Sequence, residues 1–326
     1  YSVLPKITAG VAAVAQLSVP VIALLGGALL LGVAHAASIA GIGTPVGSPT
    51  NLIAIGFLER AGDPMAFTDW MTRAIPLMLV MLPVGWIVLC APLFRRGAGD
   101  SAAVARVVGE ALRMLGPLSR PEARIGAVFT VVALAWMFRL QLNELPLLGN
   151  LSDAGIAVIG AVLLFLVPSG RGQGEKLIDW PTAERIPWGI AILFGGGLSL
   201  ATAMETTGLA QWIGAQIAAL DGVSTLGLIA ILVITTILIS ELASNVATLT
   251  SMLPVVGAVA QATGTPLQTL VFPVAIAASF AFMLPVATGP NAIAFSSGVV
   301  TLKRMLTVGF VLNLAAAIGI LALLSP

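Results

Sequence analysis

The sequence predicts an all-α polytopic membrane protein with broken helices and a re-entrant hairpin. Three observations predict it: composition, the lengths of the apolar runs, and where helix breakers interrupt them. Of 326 residues, 58% are hydrophobic and 9% charged, against roughly a quarter charged in an average soluble domain. The mean hydropathy is +1.06, that of a chain whose solvent is largely lipid. A net charge of +1 excludes a nucleic-acid partner held by phosphate neutralisation, which needs a clustered basic face. The single cysteine, Cys90, sits in an apolar run and has no partner for an intrachain disulfide.

A hydrocarbon core takes about 20 apolar residues per helix. Apolar stretches of that order fall near 12–42, 74–93, 124–142, 152–168, 187–204, 223–240, 267–286 and 305–325. A run such as Leu228-Ile-Ala-Ile-Leu-Val-Ile lacks the alternation of a barrel strand, so each is read as helix. Residues 94–123 form a polar linker rich in arginine, within which Val104, Val107, Val108, Ala111, Leu112 and Leu115 recur at helical spacing. This predicts an amphipathic helix over 102–115 at the membrane surface. The arginine excess places it in the cytoplasm. Two crossings later, 170–186 carries Arg171, Lys176 and Arg185, whereas 143–153 between them holds Glu144 and Asp153 and no basic residue. The implied orientation is consistent along the chain.

Residues 186–302 hold three charged side chains, Glu205, Asp221 and Glu241, but many Gly, Pro, Ser, Thr and Asn. Plain spanning helices need few breakers; half-helices around a buried polar cavity need many. Three clusters stand out. In Gly43-Thr-Pro-Val-Gly-Ser-Pro-Thr-Asn51, two prolines remove backbone donors and two glycines permit unwound conformations. One half-helix ends there and another starts near Pro49, with amides that favour an anion and carbonyls that suit Na⁺. In Ser240-Glu-Leu-Ala-Ser-Asn-Val-Ala-Thr248, Asn245 offers an acceptor to a cation and donors to an anion. The expectation is a hairpin over 242–263 turning at Ser244-Asn245. The third cluster is Pro285-Val-Ala-Thr-Gly-Pro-Asn291, and unwound backbone is expected at 43–51 and 285–291. His35 reads as a packed or interfacial residue. Gly195-Gly-Gly197 lacks the lysine of a phosphate loop and reads as close helix packing.

Parts of the chain repeat in order. Ser2-Val-Leu-Pro5 matches Ser251-Met-Leu-Pro254, Val33–Ser38 matches Val274–Ser279 at five of six positions, and Asn51-Leu-Ile-Ala54 matches Asn291-Ala-Ile-Ala294. Ordered matches of this kind indicate a duplicated unit, and inverted duplication is how many secondary transporters build a central site. By this register the first-copy mate of Ser244-Asn245 falls before residue 1. The chain therefore reads as N-terminally truncated: 1–93 as the remainder of a first repeat, 94–123 as linker, and 124–326 as a second repeat with its hairpin, a broken helix at 267–298 and a last helix.

With these clusters the chain resembles the divalent anion/sodium symporter family. Five stretches carry the likeness: Leu30–Gly41 with Gly47-Ser-Pro-Thr-Asn-Leu-Ile, Ile186-Pro-Trp-Gly-Ile-Ala-Ile-Leu-Phe-Gly-Gly-Gly-Leu, Glu241-Leu-Ala-Ser-Asn, Ala287-Thr-Gly-Pro-Asn-Ala-Ile, and Gly309-Phe-Val-Leu-Asn-Leu. The resemblance implies an inverted-repeat, elevator-type carrier. It would move a small dicarboxylate, tricarboxylate or sulfate with Na⁺ as coupling ion, without another cofactor, as a homodimer in a bacterial cytoplasmic membrane. It assigns one cation to Gly47, and a second to Ser240, Ala243, Asn245 and Ala287. The anion falls to Ser48, Asn245, Thr288, Gly289 and the hairpin position of Val246, where the family carries threonine. The proline pairs of the two unwound segments are also altered, to Pro49-Thr50 and Gly289-Pro290. Alternatives are a proton-coupled or exchange permease of the same fold, and an ion channel. An intramembrane enzyme lacks support: no paired Asp and no His-Glu metal motif is legible.

Overall fold

In hydrocarbon a backbone satisfies its own polar groups only as helix or closed barrel. Among the described residues of the computed structural model every regular element is helical, apart from an isolated bridge between Pro168 and Lys176. The structure describes residues 19–95, 116–146, 151–170, 172, 174–185, 206–218 and 224–323, with isolated positions at 109, 113, 192, 195, 196, 199 and 202–204. The amphipathic helix expected over 102–115 lies outside the described residues, as do residues 2–5, Gly197 and most of 186–205.

The chain divides into two compact units, Tyr1–Val108 with Gly189–Pro326, and Gly109–Trp188. In the second of these, α4 (Arg120–Met137) and α6 (Asp153–Leu166) pack side by side, joined through the short α5 (Arg139–Leu142), with α7 (Trp180–Ala183) following. Ser119 and Glu122 form a capping box at the start of α4, which satisfies two of its orphan amides. Arg139 Nε pairs with Asp153 Oδ1 at 2.8 Å. Gly160 sits so close to Val132 that a Cβ there would lie 2.6 Å from it, so the glycine sets how near the two helices come.

The larger unit holds the candidate residues. Its elements are α1 (Val19–Gly41), a 3₁₀ turn (Pro45–Gly47), α2 (Pro49–Arg60), α3 (Phe67–Arg95), α8 (Leu209–Ala218), α9 (Thr225–Leu242), α10 (Asn245–Thr263), α11 (Leu267–Ala278), α12 (Gly289–Ser296) and α13 (Leu302–Leu323). Among the described residues, four helices are long and apolar enough to cross a membrane: Phe67–Ala91, Thr225–Leu242, Asn245–Thr263 and Leu302–Leu323. The protein is an integral, multi-pass membrane protein. Many large apolar side chains point outward, including Trp86, Phe310 and Ile318, as they must when the surrounding solvent is lipid.

Two helices break. The first runs α1, turn, α2; the second runs α11, an irregular stretch, α12. Packing α1 on α12 and α2 on α11 makes the two run in opposite directions. Gln268 Nε2, at the start of α11, donates to Asp63 Oδ1 beyond the end of α2 at 2.7 Å, in keeping with that arrangement. The breaks differ from expectation at their edges. The first covers 42–48 and the second 279–288, rather than 43–51 and 285–291. Pro49 and Pro290 each sit at the first or second position of the following helix, where a missing N–H costs nothing; Asn51 and Asn291 are thus already helical. In the second break the amides of Ser279 and Phe280 still bond to backbone carbonyls, while those of 282–284 find side-chain partners, described below.

At the hairpin, α9 ends at Leu242 and α10 starts at Asn245, with Ala243 and Ser244 both extended. The two-residue turn therefore joins arms of 18 and 19 residues. The expected segment, 242–263, comprises the turn and the second arm, and the first arm is α9; both arms are long and apolar enough to cross a membrane, against the expectation that the second is too short to do so. Gly264, at φ 67°, ends α10 in the left-handed conformation that glycine adopts without strain.

Candidate functional site

Each candidate cluster is a junction between the C-terminus of one helix and the N-terminus of the next. Gly47 and Ser48 lie between α1 and α2, Ser240–Val246 span the end of α9 and the start of α10, and Ala287–Gly289 lead into α12. Ser48, Ser244 and Thr288 are the three N-cap residues. Helix N-termini present unsatisfied N–H groups and partial positive charge. Thr288 Oγ1 takes the Asn291 amide at 3.2 Å, whereas Ser48 and Ser244 make no side-chain cap.

Side chains tie the three junctions together. Ser48 Oγ and Thr50 Oγ1 lie 2.7 Å apart, and Thr50 Oγ1 and Ser279 Oγ 2.8 Å apart, so a hydroxyl chain links the first break to the second. Ser240 Oγ donates to the Ala278 carbonyl at 3.0 Å. The Glu241 carboxylate, 5% exposed, accepts from the Met283 and Leu284 amides at 2.9 Å each and from Asn313 Nδ2 at 2.6 Å. The hairpin tip is thereby fastened to the second break. Reading the residues alone left Glu241 without a partner; Leu284 is 43 positions away and Asn313 72, beyond any local pattern.

Each break is spanned by an asparagine in the same register. Asn51 Nδ2 donates to the carbonyls of Gly41 and Thr44, at 2.9 and 2.8 Å. Asn291 Nδ2 donates to those of Ala281 and Leu284, at 2.9 and 3.2 Å. The offsets are ten and seven residues in both. These asparagines were visible in sequence as repeat mates but carried no role there.

Three buried side-chain oxygens at these junctions have no hydrogen-bond partner among the described residues: Asn245 Oδ1, Thr248 Oγ1 and Asn291 Oδ1. Unpaired buried oxygens are costly in protein, and neutral oxygen donors are what a small hard cation takes. Asn245 and Thr248, three apart on α10, share one helix face. Thr248 and Asn291 were not singled out by sequence. Several carbonyls at the breaks already accept: Gly41, Thr44, Ala278, Ala281 and Leu284 from side chains as above, and Ile42 from the Trp70 indole at 2.9 Å.

The remaining candidates are placed as follows. Gly47 is exposed, and a Cβ on it would overlap the Gly41 carbonyl, so glycine is needed for the tight turn. Ala287 is buried at 4% exposure, Gly289 is exposed, and Ala243 closes α9 by donating to Ile239. Val246 is buried and belongs to the main apolar cluster. His35 is fully buried, its ring edge-to-face with Phe282 at 5.0 Å. A cavity of about 820 Å³ lies away from these junctions, bounded by Phe57, Arg60, Gln211, Gly257 and Gln261.

A multi-pass helical protein whose polar side chains collect at broken helices and a hairpin turn has the build of a secondary transporter. The chain belongs to the sodium:sulfate symporter family, whose transmembrane-region model matches residues 9–325. It is similar to the sodium-dependent dicarboxylate transporter SdcS of Staphylococcus aureus strain NCTC 8325 / PS 47, with 35% identity over 296 residues, 90% of this chain and 57% of that protein. The same protein from the bovine strain RF122/ET3-1 matches with equal identity and coverage. The chain thus spans a little over half the length of these relatives.

Proposed function

We propose that the full-length protein is a secondary active transporter that carries a small divalent anion together with Na⁺. The observation that carries this reading is that two chemistries occur at junctions linked by side chains. Three helix N-termini offer donors to an anion, and three buried oxygens without partners among the described residues suit a cation. Asn245 serves both, through its amide donors and its Oδ1. Ser48, Thr288 and Gly289 present hydroxyl and backbone groups to the anion. Gly47 marks one cation position, and Ser240, Ala243, Asn245 and Ala287 the second. The opposite running of the two broken helices supports an inverted repeat, and with it an elevator movement of hairpin and broken helices past a scaffold that would form a homodimer. A bacterial cytoplasmic membrane is the natural setting for such a symporter, and no chemistry of an enzyme is required of it.

The test is uptake of labelled succinate and sulfate into proteoliposomes holding the full-length protein, with inward gradients of Na⁺, K⁺ or H⁺. Accumulation driven by Na⁺ alone is expected; uptake indifferent to Na⁺ but driven by a proton gradient would place the protein among proton-coupled permeases. Val246, which packs in the main apolar cluster, tests whether the hairpin tip faces the anion. Valine is nearly isosteric with threonine but offers no hydrogen bond. A hydrogen bond to a charged group contributes roughly 1.5–3 kcal/mol, so Val246→Thr should tighten succinate binding about ten-fold or more. Unchanged affinity for both anions would remove residue 246 from the substrate site.

A further inference from the structure

We propose that Glu241 is a positioning residue that, with Asn313, clamps the second break against the hairpin tip and so sets the spacing of the second cation site. This inference rests on the sodium-coupled reading above. Glu241 stands between Ser240 and Ala243 of that site, on the tip; its carboxylate grips residues 283 and 284, three to four positions before Ala287 on the other side. Both oxygens are engaged by N–H donors: Oε1 by Met283 at 2.9 Å and Asn313 at 2.6 Å, Oε2 by Met283 at 3.1 Å and Leu284 at 2.9 Å. A carboxylate so occupied has little capacity left to bind a cation itself. Asn313, on α13, holds the same segment a second time, its Oδ1 accepting from the Phe282 amide at 3.4 Å. Three successive amides, Phe282, Met283 and Leu284, are therefore held by two side chains from two helices. These partners satisfy amides 282–284 outside a helix, in an apolar stretch, Ser279-Phe-Ala-Phe-Met-Leu284, that has no Gly or Pro of its own and is followed by Pro285.

The polarity of the clamp is directional. Glutamine at 241 would turn an NH₂ toward Asn313 Nδ2, donor against donor. Rotating Asn313 to accept it would set that residue's own NH₂ against the Phe282 amide. Aspartate at 313 resolves the conflict, because its oxygens accept from the introduced glutamine and from the Phe282 amide together. The experiment measures Na⁺ activation of anion uptake in the full-length carrier for wild type, Glu241→Gln, Asn313→Asp and the double variant. Glu241→Gln should raise the Na⁺ concentration for half-maximal uptake by about ten-fold or more, the effect of one charged hydrogen bond. Asn313→Asp alone, which sets two carboxylates side by side, should also impair activation, and the double variant should return toward wild type. Wild-type Na⁺ activation in Glu241→Gln, or a double variant no better than the worse single one, would overturn the clamp. A wild-type protein with no Na⁺ dependence would instead defeat the underlying function. A second measurement needs no variant: hydrogen exchange in the wild-type carrier. Amides 282–284 should exchange more slowly than that of the exposed Val286, the comparison leaving out Pro285 and Ala287, whose amide donates to the Leu284 carbonyl; equal rates would also overturn the clamp.

Discussion

The two breaks share one bridging device and differ in what holds them open. In each, an asparagine in the first turn of the following helix reaches back ten and seven residues to two carbonyls. Around that common element the first break, 42–48, is short, carries Pro45 and Gly47 in its own sequence, and is held by a donor, the Trp70 indole on Ile42. The second, 279–288, is longer and is held by acceptors, the Glu241 and Asn313 oxygens on three backbone amides. Pro285 lies within the second break as Pro45 lies within the first, but at the second, side chains from elsewhere hold the three amides ahead of the proline.

The asparagine bridges should show the largest stability effects. Asn51→Ala and Asn291→Ala each strip a side-chain donor from two carbonyls, one of which keeps a backbone partner: Thr44 from Gly47, and Leu284 from Ala287. At about 1–3 kcal/mol per buried group left unsatisfied, comparable losses of melting temperature are expected for the two in the detergent-purified full-length protein. A large loss at one and none at the other would break the equivalence.

Close approach gives the next effect. A Cβ on Gly309 of α13 would fall on the backbone of Phe282 and Met283, whereas one on Gly47 would meet the Gly41 carbonyl. Both contacts are with backbone and similarly close, so both glycines are trapped although Gly309 is buried and Gly47 exposed. Gly309→Ala and Gly47→Ala should each cost about 1–3 kcal/mol, the usual range for overpacking, read from the same melting curves. A loss at only one would mean that the other break yields to the added methyl. Smallest is Trp70→Phe, which keeps an aromatic ring against Phe272, 4.8 Å away, but removes the donor to Ile42. It should cost about 1 kcal/mol and leave the second break's hydrogen exchange untouched.

The legibility of the sequence follows the same division. The first break and its position were readable from Pro45, Gly47 and Pro49, and most helices fall where the apolar runs place them. The hairpin turn was found through Ser244-Asn245, but its first arm was not, because Thr225–Leu242 is as apolar as any span. The early start of the second break was hidden, since Ser279–Leu284 contains neither Gly nor Pro and the partners of amides 282–284 lie far off in sequence, on Glu241 and Asn313. Candidate residues were legible where polarity interrupts a helix locally. Asn291 and Thr248 were missed because their significance lies in a buried oxygen left without a partner, which only tertiary packing defines.

The most direct test of sodium coupling at these junctions is the Na⁺-activation curve of Asn245→Ala in proteoliposomes of the full-length carrier. Asn245 sits at the first position of α10 with its Oδ1 buried and unpartnered, so alanine removes a candidate ligand while breaking no hydrogen bond of that oxygen within the described residues. The protein should melt near the wild-type temperature while requiring several-fold more Na⁺ for half-maximal uptake. A variant equally stable and activated by Na⁺ as the wild type is would contradict the placement of the cation at the hairpin tip.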